Sequence, residues 1–412
     1  DAMGDDSWPA QLQPEWPGPL HSPEALRPHE LDITALIRDG RLEMAFEFST
    51  NLHKRETIER LAQSCSQILT KLIDHCLTPD AGAFVAADIE LADLSPEQFA
   101  TVDAALQQMG GPRAVEDIYP LTPVQEGMLF HVLLKPDSGI YFVQLTATLE
   151  GNINPALFQK AWELLVARHP ILRTAFVWQG LERPLQVVHR AAALPFVFHD
   201  WQSMDDDQQR TALEQFLGED RDEGFDLTTP PLTRVALFQT APNRYTMVWS
   251  CHHILLDGWS LALVMREITT LYEVLAAAAP IPPSAARPYR DFIAWRLNNA
   301  DDVRESAYWR AELGDVTSPT GLPFDGVECG TGYGENTCVL PDTLTLRLEQ
   351  TGQRHGLTLN TLIQGAWALL LSRYTGDEDV LHGVTMAGRP LELANADSMI
   401  GLFINTLPFR IH

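Results

Sequence analysis

Ten residues past the middle of the chain constrain it more than any other stretch: Cys251-His252-His253-Ile254-Leu255-Leu256-Asp257-Gly258-Trp259-Ser260. Residues 245–251 before them are β-branched, aromatic and apolar, the composition of a buried strand. After Gly258, apolar residues recur at 261, 264, 265, 268, 271, 272 and 275. That spacing marks one buried face of a helix, with Ser260 as the expected N-cap. The histidines therefore sit on a strand-to-helix connection. Asp-Gly suits a tight turn there, because Gly accepts positive φ and Asp can bond nearby backbone amides.

Such a connection can aim an imidazole at a substrate. Imidazole titrates near neutrality, so it can take a proton from a nucleophile and return it. Asp257 either pairs with a cation to fix the turn or orients the imidazole. A buried histidine bonded to backbone is the plain alternative. A metal site is not expected, because adjacent side chains on extended backbone point to opposite faces. No Cys or carboxylate cluster has ligand spacing either.

Further segments follow one order along the chain: Tyr119-Pro-Leu-Thr-Pro-Val-Gln-Glu-Gly-Met-Leu-Phe-His131, Arg168-His-Pro-Ile-Leu-Arg-Thr-Ala-Phe176, Gly224-Phe-Asp-Leu-Thr-Thr-Pro-Pro-Leu232, Tyr289-Arg-Asp-Phe-Ile-Ala-Trp295 and Ile400-Gly-Leu-Phe-Ile-Asn-Thr-Leu-Pro-Phe-Arg410. With His-His-x-x-x-Asp-Gly-Trp-Ser, this series resembles the condensation domains of non-ribosomal peptide synthetases, from about residue 114 to the end. A single motif would be weak grounds; five in order are specific.

The resemblance implies an α/β layered fold of two lobes, each similar to chloramphenicol acetyltransferase, with a tunnel between them. It implies peptide-bond formation between a donor thioester and an acceptor amine, both carried on the phosphopantetheine of upstream and downstream carrier proteins. Neighbouring epimerization and adenylation domains are the other implied partners, with no cofactor or metal bound by the domain itself. His253 takes the place of the catalytic histidine, and His252 that of its support. Asp257 takes that of a loop brace, with Arg173 as its expected cation. Gly258 would leave room for the pantetheine arm. Trp259, Ser260, Gln125 and Asn405 are candidates for the substrate channel, although packing and capping explain them as well. Tyr289, Asp291 and Arg410 match motifs and read as architectural. The first motif resembles condensation domains that join a D-configured donor to an L-configured acceptor. Two other functions stay open: a coenzyme A-dependent acyltransferase, and a non-catalytic docking domain.

Composition narrows the partners. The formal net charge is 29 − 55 = −26, which disfavours nucleic acid and acidic membranes. Five Cys without regular spacing fit a reducing cytosol, so a cytoplasmic location is expected. No apolar run reaches membrane-spanning length.

The elements suggest four parts. The opening residues to Gly18 lack periodicity. Strands at 31–37 and 42–49 are expected around Arg38-Asp39-Gly40, followed by an amphipathic helix at 54–76. With Arg27-Pro-His-Glu-Leu-Asp-Ile33 and Asn51-Leu-His-Lys-Arg-Glu-Thr-Ile-Glu-Arg-Leu61, residues 1–78 resemble the C-terminal end of an epimerization domain, or of a condensation domain. Residues 79–113 read as a linker. Its one short helix has Ser95 as N-cap, Pro96 at the first position and Gln98 completing a capping box. Residues 114–285 and 286–412 are the expected lobes, the second incomplete because the chain stops after the fifth motif. Strands are expected at 142–149, 185–188, 379–385 and 403–411. Helices are expected from Asn154-Pro155, at 343–355 and at 358–374, the last ended by Gly376.

Overall fold

The computed structural model describes residues 29–38, 40–78, 85–284, 286–318, 320–322, 334 and 336–412. The opening residues to Gly18, Arg27, Asp39 and linker residues 79–84 lie outside the described residues. The chain falls into two compact units, one up to Ala83 and one from Phe84.

In the first unit, β1 (Leu31–Arg38) and β2 (Arg41–Phe48) form an antiparallel hairpin with Arg38 opposite Arg41. Gly40 has φ 72°, the left-handed conformation such a turn asks of it. Helix α1 (Arg55–Cys76) follows the expected span. Of its apolar face Ile58 is buried, while Leu61, Ile68, Leu72 and Ile73 are exposed. A hairpin and one helix bury little surface by themselves.

The second unit begins within the expected linker. Helix α2 (Pro96–Gln108) has the predicted capping box: Gln98 N–H donates to Ser95 Oγ, and Ser95 N–H to Gln98 Oε1. It is not a spacer. Val102 and Leu106 are fully buried, packing with Ile89, Val115, Ile118, Val177, Leu185 and Val187. Residues 85–113 thus supply one layer of a core that spacing alone assigned to a connection.

The next elements are β3 (Val115–Pro120), α3 (Pro123–Leu134), β4 (Phe142–Glu150), α4 (Pro155–Arg168), β5 (Thr174–Val177), β6 (Leu185–His189), β7 (Phe196–Asp200), α5 (Asp206–Glu223), β8 (Thr233–Ala241), β9 (Arg244–His252) and α6 (Gly258–Ala276). After them come α7 (Tyr289–Asn299), α8 (Asp302–Leu313), α9 (Asp342–His355), α10 (Leu359–Thr375), β10 (Val380–Met386) and β11 (Asn405–Ile411). Gly376 caps α10 in the left-handed conformation, as expected. The last strand opens at Asn405 rather than Phe403, because Phe403 is buried beside the histidine loop instead of in a ladder.

One sheet has the order β3-β6-β5 and another β4-β9-β8-β7, while β10 pairs with β11. In the four-stranded sheet β9 is central and antiparallel to both neighbours. Its Tyr245, Met247, Trp249 and Cys251 join the core shared with Phe158, Trp162 and Leu165 of α4 and Val264, Ile268 and Leu271 of α6. Val248, on the other face, packs with Phe238 and with Leu213, Phe216 and Leu217 of α5. Covered on both faces, β9 reads as a continuous apolar run rather than an alternating one. The same core takes in Tyr289, Phe292 and Ile293 of α7 and residues 399, 400, 402 and 403, crossing the lobe boundary expected at 285/286. Among the described residues no helix is long and apolar enough to cross a membrane.

Replacing Leu106 with Ala should lower stability by about 2–5 kcal/mol, the usual cost of emptying a packed leucine site. The measurement is the urea midpoint of the chain. An unchanged midpoint would return α2 to the role of a spacer.

Candidate active site

Strand β9 ends at His252, opposite Phe142 of β4. His252 is 4% exposed. Its Nδ1 accepts the Ile254 backbone N–H at 3.2 Å, so the neutral ring carries its proton on Nε2. Burial, with His253 adjacent adding to it, pushes this imidazole down to about 4. His252 is thus held neutral and hydrogen-bonded into the fold, the environment of a supporting residue.

His253 is half-buried. Its backbone N–H donates to the Tyr141 carbonyl at 2.8 Å, extending the β4–β9 ladder by one bond. Its Nδ1 is buried and has no hydrogen-bond partner among the described residues. Of the two ring nitrogens, Nε2 is the one not enclosed in this way.

The loop beyond is clamped by Asp257, which is 0% exposed. Oδ1 accepts from the Ser260 backbone N–H at 2.8 Å and from Arg389 Nη2 at 3.3 Å. Oδ2 accepts from the Phe403 backbone N–H at 3.0 Å. Arg389 in turn donates through Nη1 to the carbonyls of Ala396 and Met399, at 2.5 and 2.8 Å. Its guanidinium lies 4.0 Å from the Phe403 ring centroid and 5.6 Å from that of Trp259. Burial lowers the pKa of Arg389, and the Asp257 carboxylate opposes that.

Two expectations are corrected here. The cation on Asp257 is Arg389, not Arg173. Arg173 is buried elsewhere, donating to the Val166 carbonyl at 3.1 Å, to the His189 carbonyl and to Glu116 at 2.7 Å. Nor is Ser260 the N-cap of α6. Asp257 is, because its side chain already accepts the Ser260 N–H. Ser260 is buried one turn in, where its Oγ donates to the Gly401 carbonyl at 2.7 Å and accepts from the Gly401 N–H at 3.1 Å.

The remaining motif residues sort by what they touch. Gln125 is fully buried, so it lines no channel; its Nε2 donates to the Ile254 carbonyl at 3.0 Å and holds the histidine loop from below. Tyr289 donates to the Leu402 carbonyl at 2.5 Å, and its ring packs so tightly on Gly401 that a Cβ there would lie 2.1 Å from it. Gly258 opens α6 with open space where a side chain would project, so that point has room for a ligand. Its φ is not positive, so the turn itself does not demand glycine. Trp259 is 53% exposed, donating Nε1–H to the Asp397 carbonyl at 2.9 Å. Asn405 is exposed at the start of β11, opposite Met386, without a side-chain bond to the loop. Asp291 pairs with Arg287, and Arg410 with Asp315 and Asp379.

Sequence reasoning missed Arg389, which lies 132 residues from its carboxylate partner. The signal present was Gly388 before it. Gly388 has φ 61°, and a Cβ there would fall 1.8 Å from the Phe403 carbonyl oxygen, so backbone must pass close. Asp220 was missed too. This buried carboxylate on α5 accepts from Gln144 Nε2, Ser250 Oγ and Arg234 Nε, each at 2.5 Å. Those three residues are register partners on β4, β9 and β8, so one helix side chain ties a row of the sheet two residues before the histidines. Among the described residues no group of three or more His, Cys, Asp or Glu could hold a metal ion.

The condensation-domain family model matches residues 115–412, about three-quarters of the chain. The chain belongs to the condensation-domain family. It is similar to a linear gramicidin synthase of Brevibacillus parabrevis, 39% identical over 407 residues, covering 97% of this chain and 8% of that protein. Bacitracin synthase 1 of Bacillus licheniformis is 31% identical over 404 residues, covering 96% and 8%. The chain therefore spans a small fraction of these relatives' length. Among solved structures, the first condensation domain of the calcium-dependent antibiotic synthetase, in complex with a substrate analogue, superposes with TM-score 0.57. It is 24% identical over 71% of this chain and 69% of that one. The starter condensation domain of rhizomide synthetase, in complex with C8-CoA, has TM-score 0.57 and 21% identity, over 75% and 68%. The α/β fold expected from the sequence is thus the condensation-domain fold.

Two measurements test this geometry. A double-mutant cycle on Asp257 and Arg389 should show a coupling energy, each single loss costing about 3–5 kcal/mol because it strands a buried charge. The cycle on Asp257 and Arg173 should be additive. His252 supplies a pH test. Its native pKa of about 4 lies below the ordinary 6.5, so the unfolded chain binds the proton first. Its contribution is complete above about pH 6.5 and falls by roughly 3 kcal/mol as pH drops toward 4. Replacing His252 with Gln should flatten the fall in urea midpoint across that window.

Proposed function

We propose that the condensation domain of this chain forms an amide bond between two carrier-bound substrates, with His253 as the residue that meets the reacting amine. The observation that carries this reading is the placement of His253. Its imidazole has no hydrogen-bond partner among the described residues, yet its backbone is fixed to β4 and its loop is clamped by Asp257.

The acceptor α-amine attacks the carbonyl carbon of the donor thioester. A C–N bond forms, the C–S bond breaks, and the phosphopantetheine sulfur leaves. The proton shed by the nitrogen passes to His253 Nε2 and then to the departing sulfur, so the products are an amide and a free thiol. An α-amine has a pKa of roughly 8 and a thioester is already activated, which keeps the proton demand modest. Holding two tethered reactants in line contributes rate of its own. His252, neutral and hydrogen-bonded, supports the loop. Gly258 leaves space at the head of α6 for a pantetheine arm.

The finer reading is that the donor is D-configured and the acceptor L-configured. It is supported by the opening motif, residues 119–131, and by the resemblance of residues 1–78 to the end of an epimerization domain. Carrier proteins on either side, and neighbouring epimerization and adenylation domains, are the partners this reading requires.

The test is single-turnover condensation by the chain, with carrier proteins loaded with either donor epimer and an L-aminoacyl acceptor. The chain should form amide faster from the D-donor. His253→Ala should lower the rate by about 10²–10⁴-fold, the range for loss of a general base. Equal measurable rates for His253→Ala and the parent would remove His253 from the reaction, and no amide from either would leave only a docking role. Transfer from coenzyme A thioesters without any carrier would make the chain a free acyltransferase. A faster L-donor would overturn the stereochemical reading.

A further inference from the structure

Tyr141 occupies an unusual place. It has φ 65°, left-handed backbone in a bulky non-glycine residue, and it lies directly before β4. Side chains rarely adopt that conformation, and where they do the surrounding structure must hold them there. Three contacts do so. The Tyr141 carbonyl accepts the His253 backbone N–H at 2.8 Å. The ring meets His252 edge-on, with centroids 6.3 Å apart and planes at 64°. The hydroxyl lies 2.7 Å from His131 Nδ1, and the two rings stack at 6.2 Å and 12°.

Continued extended backbone would send the Tyr141 side chain to the face opposite that of Phe142, which pairs with His252. The left-handed residue breaks that alternation. It lets one residue give its carbonyl to His253 and its ring to His252 together. His131, at the end of α3, then anchors the far end of the ring from a different element. Burial raises the pKa of the Tyr141 hydroxyl above its ordinary value.

We infer that Tyr141 is a positioning residue for the histidine pair, anchored by His131, and that its strained backbone is retained because it brings carbonyl and ring to the two histidines at once. The inference rests on the assignment of His253 as the substrate-facing imidazole. Tyr141 acts through the histidines and touches no reacting atom.

Tyr141→Gly is the informative variant. Glycine adopts the same φ without strain and keeps the carbonyl, so the fold should stand while the ring is lost. The kcat should fall tenfold or more, within the range of about 10²-fold that an ångström of misplacement costs. KM for the carrier-bound substrates should not change. Tyr141→Phe keeps ring and carbonyl and should recover most of that loss. The imidazole ¹⁵N resonances of His252 and His253 should move in Tyr141→Gly and move less in Tyr141→Phe, which keeps the ring but loses its hydrogen bond to His131. Wild-type kcat in Tyr141→Gly, or unmoved resonances, would overturn the inference. If the parent chain forms no amide but the resonances move, the assignment of function fails and the positioning role stands. Should Tyr141→Gly not fold, His131→Ala decides. Loss of the anchor at the exposed end of α3 should shift the His252 resonance, and an unshifted resonance counts against the inference.

Discussion

The candidate site depends on one buried charge pair. Asp257 and Arg389 approach at 3.3 Å, in a place where the Asp257 side chain is sealed from water and that of Arg389 is 7% exposed. At an effective dielectric of about 20, their attraction is worth about 5 kcal/mol. Removing both charges from water costs several kcal/mol for each ion. On that arithmetic the pair adds little net stability. What it adds is placement, because its remaining hydrogen bonds are specific. Asp257 accepts the N–H groups of Ser260 and Phe403, and Arg389 donates to the carbonyls of Ala396 and Met399. One pair thereby joins the head of α6 to a segment nearly 150 residues away.

Other elements complete the loop from different directions. Gln125 bonds the Ile254 carbonyl, Tyr141 bonds the His253 N–H, and Asp220 ties the three strands that lead to it. Tyr289 sets the height of residues 401–402 against the same core. Gln125, Tyr289 and residues 401–403, scattered along the sequence in separate motifs, thus meet at one loop. Most of them hold backbone, and among the described residues the His253 imidazole has no hydrogen-bond partner.

The strand-to-helix frame of the site was legible in the sequence, because β9 and α6 carry dense apolar patterns with the periods of their elements. Ser95, Pro96 and Gln98 likewise announced the start of α2. The pairing of Asp257 was not legible. A charge pair leaves no mark on spacing, and Arg173 was favoured because it lay in a motif, whereas Arg389 stands in the loop between β10 and β11. The capping role moved from Ser260 to Asp257 for a related reason: both residue types cap helices, and only the position of the first turn decides between them. The layer formed by α2 was hidden because Val102 and Leu106 match their partners on β3, β5 and β6 only in three dimensions. Tyr141 was hidden because a left-handed tyrosine has no sequence signature.

The most direct test of the account is amide hydrogen exchange at Ser260 and Phe403, comparing the chain with its Arg389→Met variant under conditions where both remain folded. Both N–H groups are bonded to the Asp257 carboxylate. If Arg389 holds that carboxylate in place, exchange at both amides, and at His253, should quicken together in the variant. Protection unchanged at all three would show that the loop is held without the pair, and would contradict the account.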